Sequence, residues 1–145
     1  MWGHTAEARR VSVRTAFEGL MQIRRLSHSG ATEPERMPAA WELARPARAV
    51  ALALEASGAP PSATDAEGRR VRLGYAVSGD VATGTVRVEW LGPPGSGAAT
   101  GEESALGGCA DTLRSLGWTV LMYRGERRRR FLEVEVPTRG PGAGR

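Results

Sequence analysis

The sequence predicts an α+β domain, with an antiparallel four-stranded sheet, helices on one of its faces, and a basic helix in front. Two observations carry this reading. Beyond residue 69, apolar and polar residues alternate with a period of two in three separate stretches, and a fourth stretch is apolar throughout. Elsewhere apolar residues recur at i, i+3, i+4 and i+7, the spacing of a helix that buries one stripe. The predicted order over residues 38–137 is α-β-β-α-β-β, with residues 1–37 a basic helix and linker and residues 138–145 a disordered tail. A chain of 145 residues and 15.4 kDa is sized for one such domain.

Taken in order, Thr5 to Leu26 forms a basic amphipathic helix with Val13, Phe17, Leu20 and Met21 on one face and Arg10, Arg14 and Arg24 elsewhere. Met21 and Met37 are alternative start positions. Ser27 to Pro38 is polar, contains two prolines and reads as a linker. Pro38 and Pro46 suit the first turns of two consecutive helices, where a missing N–H is harmless. The second of these runs from Pro46 to Ser57, with Ala47, Val50, Ala51 and Leu54 on its stripe and Gly58 as its stop. Trp41 and Leu43 are expected core anchors. Because Ala49, Leu52 and Ala53 make the other face of helix 46–57 apolar too, it is expected to be buried widely or shared with a protein partner. A homodimer through it follows unless the N-terminal helix covers it.

Residues 59–68 read as loop. In the next stretch Val71, Leu73, Tyr75 and Val77 point one way, against Arg70, Arg72 and Gly74. After a turn at Ser78–Gly84, Val86, Val88 and Trp90 face in while Arg87 and Glu89 face out, which completes a hairpin with one wet face. Gly92–Gly101 is a glycine-rich loop, and Thr100 with Glu103 has the spacing of a capping box for the helix that follows. That helix carries Leu106, Cys109, Ala110, Leu113 and Leu116 on one stripe and ends at Gly117. Trp118–Tyr123 is apolar on both faces and is expected to be a central strand. Gly125 turns the chain, and Leu132, Val134 and Val136 return inward against Glu133 and Glu135.

Composition limits the chemistry. All 20 basic residues are Arg, Lys and Asn are absent, and Ile occurs once, the mark of a GC-rich genome that inflates the Arg count. The single cysteine excludes an internal disulfide and any multi-thiolate zinc site, and His4 and His28 lie far along the chain from it. No run approaches the ~18 apolar residues of a membrane span, and no secretory core is evident at the N-terminus, so a cytoplasmic location is expected. No cofactor or metal is expected. The net charge of +4 is concentrated in residues 112–145, while residues 37–111 are mildly acidic.

Gly92 and Gly97 have the glycine spacing of a phosphate-binding loop, but Ala98 and Ala99 stand where such a loop needs Lys and Ser/Thr. Glu102 and Glu103 next to it would repel an anion and read as ordinary helix-entry carboxylates. Cys109 sits on an apolar stripe and reads as a small buried hydrophobe. His28 lies in the linker, so no catalytic residue is assigned. The strongest single feature is the run Arg127, Arg128, Arg129, Arg130 at a hairpin turn, with Arg124 across it. Such a projection suits contact with nucleic-acid phosphates. The helix at 102–116 fits poorly as a recognition helix, since it exposes Glu102, Glu103 and Asp111 against Arg114.

In its use of Arg for Lys, its Gly/Pro-rich tails and a helix ending Leu116-Gly117-Trp118 before a hairpin, the chain resembles small accessory proteins of actinobacterial plasmids, phages and other mobile elements. The resemblance is one of style over the whole chain and transfers no residue roles. It implies plasmid transfer (spread), maintenance or transcriptional control. The expected function is therefore a non-enzymatic accessory or interaction protein serving plasmid transfer or maintenance. The alternative is a small nucleic-acid-binding transcriptional regulator that uses the Arg-rich hairpin.

Overall fold

A computed structural model describes residues 5–80 and 83–137. It is an α+β fold with an antiparallel four-stranded sheet. The helices are α1 (Ala6–Ser27), α2 (Ala40–Ala44), α3 (Pro46–Ala56) and α4 (Ala98–Ser115). The strands are β1 (Ala63–Thr64), β2 (Arg70–Arg72), β3 (Gly74–Asp80), β4 (Thr85–Leu91), β5 (Thr119–Arg124) and β6 (Arg130–Glu135). The main sheet has the order β3-β4-β6-β5, and β1 pairs with β2 in a separate two-stranded ribbon. The tail expected at 138–145 lies outside the described residues.

Alternation decides the inner face. Val86, Val88 and Trp90 of β4, Leu132 and Val134 of β6, Val120 of β5 and Tyr75 of β3 are buried. Against them pack Val50 and Leu54 of α3 and Leu106, Cys109, Ala110 and Leu113 of α4. Leu54, Leu106, Leu113 and Leu132 have no exposure at all. Truncating any one of them to Ala would cost about 2–5 kcal/mol. The opposite face of the sheet is open, with Leu121 and Tyr123 exposed on it.

Three expectations require correction. Trp118–Tyr123 does not form a central strand: among the described residues β5 pairs only with β6 and lies at the sheet edge. Of its residues only Val120 is buried, and Leu121 and Tyr123 are apolar on the wet face rather than buried by a second layer. The stretch from Val71 to Val77 is not one strand either. The chain leaves the ribbon at Leu73 because the Pro60–Pro61 backbone crosses Gly74 so closely that a Cβ there would lie 2.1 Å from the Pro60 carbonyl oxygen. Finally, α4 begins at Ala98 with Gly97 as its N-cap, so Thr100 already lies inside the helix and no capping box forms.

The segment 27–38 is not a free linker. It contains a single 3₁₀ turn at Pro34–Arg36 that folds back on both α1 and the end of α4. Gly117, at φ +88°, allows this contact, since a Cβ would come within 1.8 Å of the Arg36 carbonyl oxygen. The junction is held by Arg24, whose side chain is only 1% exposed, as is its partner Glu42. Arg24 donates from Nε and Nη2 to the two Glu42 oxygens at 2.8 and 2.6 Å, and from Nη1 to the carbonyls of Glu35 and Leu116 at 2.6 and 2.7 Å. Glu42 accepts a further bond from the Ala39 N–H at 2.8 Å. His28 Nε2 lies 3.2 Å from the Pro38 carbonyl, within the same junction.

With α1 docked in this way, Phe17 and Leu20 reach the core region and the outer face of α3 is covered from within the chain. Arg9 pairs with Glu55 of α3, and the Tyr75 hydroxyl donates to the Ala51 carbonyl at 3.2 Å. The apolar face of helix 46–57 from which a homodimer is expected thus packs against α1 within the chain.

The Arg9 hydrogen bond holds the Glu55 carboxyl below its ordinary range, while burial, then the nearby Glu55 charge, pushes the Tyr75 phenol well above its own. Burial likewise raises the Cys109 thiol. Both raised groups stay protonated in the folded chain at pH values where the unfolded chain ionises. The stability these two groups contribute should therefore be fully present below about pH 8.5 and fall progressively above it, with Tyr75→Phe removing the part of the decline beyond about pH 10. Urea titrations at a series of pH values check this.

Replacing Arg24 alone by Ala strands a buried carboxylate and should lower the unfolding free energy by about 3–5 kcal/mol. Arg24→Met combined with Glu42→Leu should recover most of that loss. If the double variant is as unstable as Arg24→Ala in urea unfolding, the attribution to an uncompensated charge is wrong.

Candidate functional site

The Arg-rich run lies at the tip of the β5–β6 hairpin, and the structure divides it. Gly125 N–H donates to the Arg129 carbonyl at 2.7 Å and Arg129 N–H to the Glu126 carbonyl at 3.1 Å, which closes a tight turn over Glu126–Arg129. Its two central residues, Arg127 and Arg128, have φ of 57° and 62°. A two-residue hairpin turn with both central φ positive is of type I′, the turn that prefers Asn-Gly. Each non-glycine residue in the left-handed region costs about 1 kcal/mol or more.

Arg129 and Arg130 face the opposite way in function. Arg129 Nε lies 2.6 Å from Glu102 Oε2, and its Nη2 donates to the Trp90 carbonyl at 2.9 Å. The Arg130 N–H donates to Glu102 Oε1 at 2.6 Å, and its guanidinium lies 3.4 Å from Glu103. Glu102 is 2% exposed, so it is a buried anchor that ties the hairpin to the first turns of α4 rather than a solvated helix-entry carboxylate. Period-two and helical patterns could not show this, because the pair is 27 residues apart in sequence.

Arg124, Arg127 and Arg128 remain exposed, and none of them forms an ion pair among the described residues. The site predicted from sequence is thus split into two structural arginines and three free ones. Beside the free ones, sequence reasoning missed an aromatic group. Tyr123 stacks on Phe131 with ring centroids 5.6 Å apart and planes at 26°, and Arg87 Cζ lies 3.9 Å from the Phe131 centroid. The signal was present in the alternation, which puts Arg87, Phe131 and Tyr123 on the outward side of three adjacent strands.

Other candidates carry no assembled chemistry. Cys109 is buried on α4 with its thiol pushed up by burial, which disfavours the thiolate. The Gly92–Gly97 loop leads into α4 without a side-chain cap, and Ser96 Oγ is buried beside it with no partner. A cleft of about 470 Å³ between the α2–α3 junction and the β3–β4 turn is lined mainly by Leu43, Pro46, Ala47, Gly79, Gly84 and Val136. Among the described residues, no group of three His, Cys, Asp or Glu side chains is placed to hold a metal ion. No described helix is long and apolar enough to cross a membrane.

The division of the run is measurable. Arg129→Ser leaves Glu102 buried with one bond fewer and should destabilise the fold by about 2 kcal/mol. Arg127→Ser and Arg128→Ser remove no partner and should each change stability by less than about 0.5 kcal/mol. Equal melting shifts for all three variants would contradict the assignment. No protein-family model matches the chain, and no curated protein and no solved structure is similar to it.

Proposed function

We propose that the chain is a non-enzymatic accessory protein that contacts nucleic-acid phosphates through Arg124, Arg127 and Arg128 at the β5–β6 turn. The observation that supports this most is the occupancy of the two left-handed turn positions. Codon bias toward GC-rich triplets explains an excess of Arg, but it supplies Gly as readily, and the chain holds 19 glycines. A type I′ turn would be more stable with Gly or Asn there. Two arginines are kept instead, exposed and unpaired, at a cost in strain, and strain retained at one site motivates a functional reading. Arg129 and Arg130 need no such reading, since Glu102 and Glu103 account for them.

We propose plasmid transfer or maintenance as the process this contact serves, a reading supported only by the resemblance in style to proteins of mobile elements. The alternative, a regulator that reads base edges with α4, has weaker support. Among the exposed charged residues of α4 are Glu103 and Asp111, and its Arg114 donates to the Val120 carbonyl at 2.8 Å. A contact made by the hairpin alone gives affinity through counterion release and little sequence discrimination.

The double substitution Arg127→Asn with Arg128→Gly separates function from folding. It should raise stability by about 1–2 kcal/mol by relieving two left-handed residues. It should also weaken binding to a mixed-sequence oligonucleotide and flatten the log–log salt dependence by about 2. Fluorescence anisotropy between about 50 and 200 mM salt reads both the affinity and the slope. A wild-type chain that does not bind at the lower salt, or a variant with an unchanged slope, sinks the proposal.

A further inference from the structure

The hairpin end of the open sheet face offers more than charge. Three planar groups form a row across three strands: Arg87 on β4, Phe131 on β6 and Tyr123 on β5. The row ends at β5, which among the described residues has no strand beyond it. Arg87 covers Phe131 and Tyr123 stacks on it, while among the described residues no other ring or guanidinium lies over Tyr123. Tyr123 is 41% exposed, with Leu121 at 42% next to it on the same face. Arg124 follows Tyr123 directly and so belongs to the helix side of the same edge strand, while the turn carrying Arg127 and Arg128 lies just beyond the Arg124–Arg130 pair.

An exposed ring with one free side, flanked by unpaired arginines, matches an unpaired nucleobase better than a duplex. Bases in a duplex are already stacked and paired, so a ring on a flat strand edge gains nothing from them. A single strand presents free π-faces, which stack on aromatic side chains whatever the sequence. The acids on the face set the path. Glu89 and Glu133 lie on the outward side of β4 and β6. They oppose phosphates running across the sheet and leave the β5 edge as the favourable track.

We infer that Tyr123 is the stacking platform for a base of single-stranded nucleic acid whose phosphates meet Arg127 and Arg128 at the turn. This rests on the proposed phosphate contact and adds the form of nucleic acid it takes. The test uses the full chain in fluorescence anisotropy at about 150 mM salt, near the physiological Debye length, with one labelled mixed-sequence strand and the duplex made from it. The single strand should bind at least tenfold more tightly than the duplex. Tyr123→Ala should weaken single-strand binding by about 5- to 100-fold, with the salt slope unchanged and the melting temperature lowered only by the loss of the ring's contact with Phe131. Tyr123→Phe should bind as the wild type does.

Wild-type affinity in Tyr123→Ala, or equal affinity for strand and duplex, overturns the stacking platform. If Arg127→Asn with Arg128→Gly still weakens binding in that case, the phosphate contact stands without it. Failure of the wild type to bind either form at any salt overturns both.

Discussion

A guanidinium withdrawn from water must find an acceptor for its N–H groups, and that requirement organises one whole side of this protein. Arg24 satisfies it with the two oxygens of Glu42 and the carbonyls of Glu35 and Leu116. Those acceptors lie on α2, on the 3₁₀ turn before it and at the C-terminal end of α4. One side chain of α1 therefore sets the position of three segments that are remote from it in sequence. The docking of α1 follows, and with it the covering of the outer face of α3. A buried ion pair of this kind is weak support for stability compared with an apolar pair of the same volume, but it tolerates very few geometries. Its contribution here is to specify where α1 lies.

Glu102 does at the other end of α4 what Glu42 does beside its C-terminus. It is buried, and it accepts from Arg129 and from the Arg130 backbone. The β5–β6 hairpin is thereby tied to α4 at its base, while its tip stays free. Four arginines with the same composition and the same neighbours come to have different physical roles. Two are absorbed into the fold, and two sit on a turn whose backbone would prefer other residues.

The two edges of the sheet are also unequal. At the β3 edge, the Tyr75 N–H donates to the Pro60 carbonyl at 2.9 Å and the Ser62 N–H to the Tyr75 carbonyl at 2.8 Å, so the segment before β1 covers the start of that edge. At β5, among the described residues, the Arg114 side chain reaches one carbonyl, that of Val120. Open edges attract further pairing, and this one carries exposed Leu121, Met122 and Tyr123 beside a cluster of unpaired positive charge. The features on which the proposed nucleic-acid contact rests converge on that one edge and its turn.

The sequence by itself determined the class of the fold and the inward face of most elements. Val13, Phe17 and Leu20 of α1, Val50 and Leu54 of α3, Leu106 and Leu113 of α4, and Val86, Val88, Leu132 and Val134 of the sheet all point where their spacing says. Helical and strand periods are local properties, so a local reading finds them. Tertiary structure alone decided which strand lies at the edge, because an apolar strand reads the same whether its backbone pairs on one side or on both, and whether its second face meets a helix or water. It also decided that Glu102 and Glu42 are buried, and that Arg129 differs from Arg127. Each of those outcomes depends on a partner tens of residues away, or on a φ angle that only closure of the hairpin imposes. The candidate site was legible as a place, the Arg124–Arg130 turn. Its division into anchors and free charges, and the aromatic row beside it, came from which side chains the fold brings together.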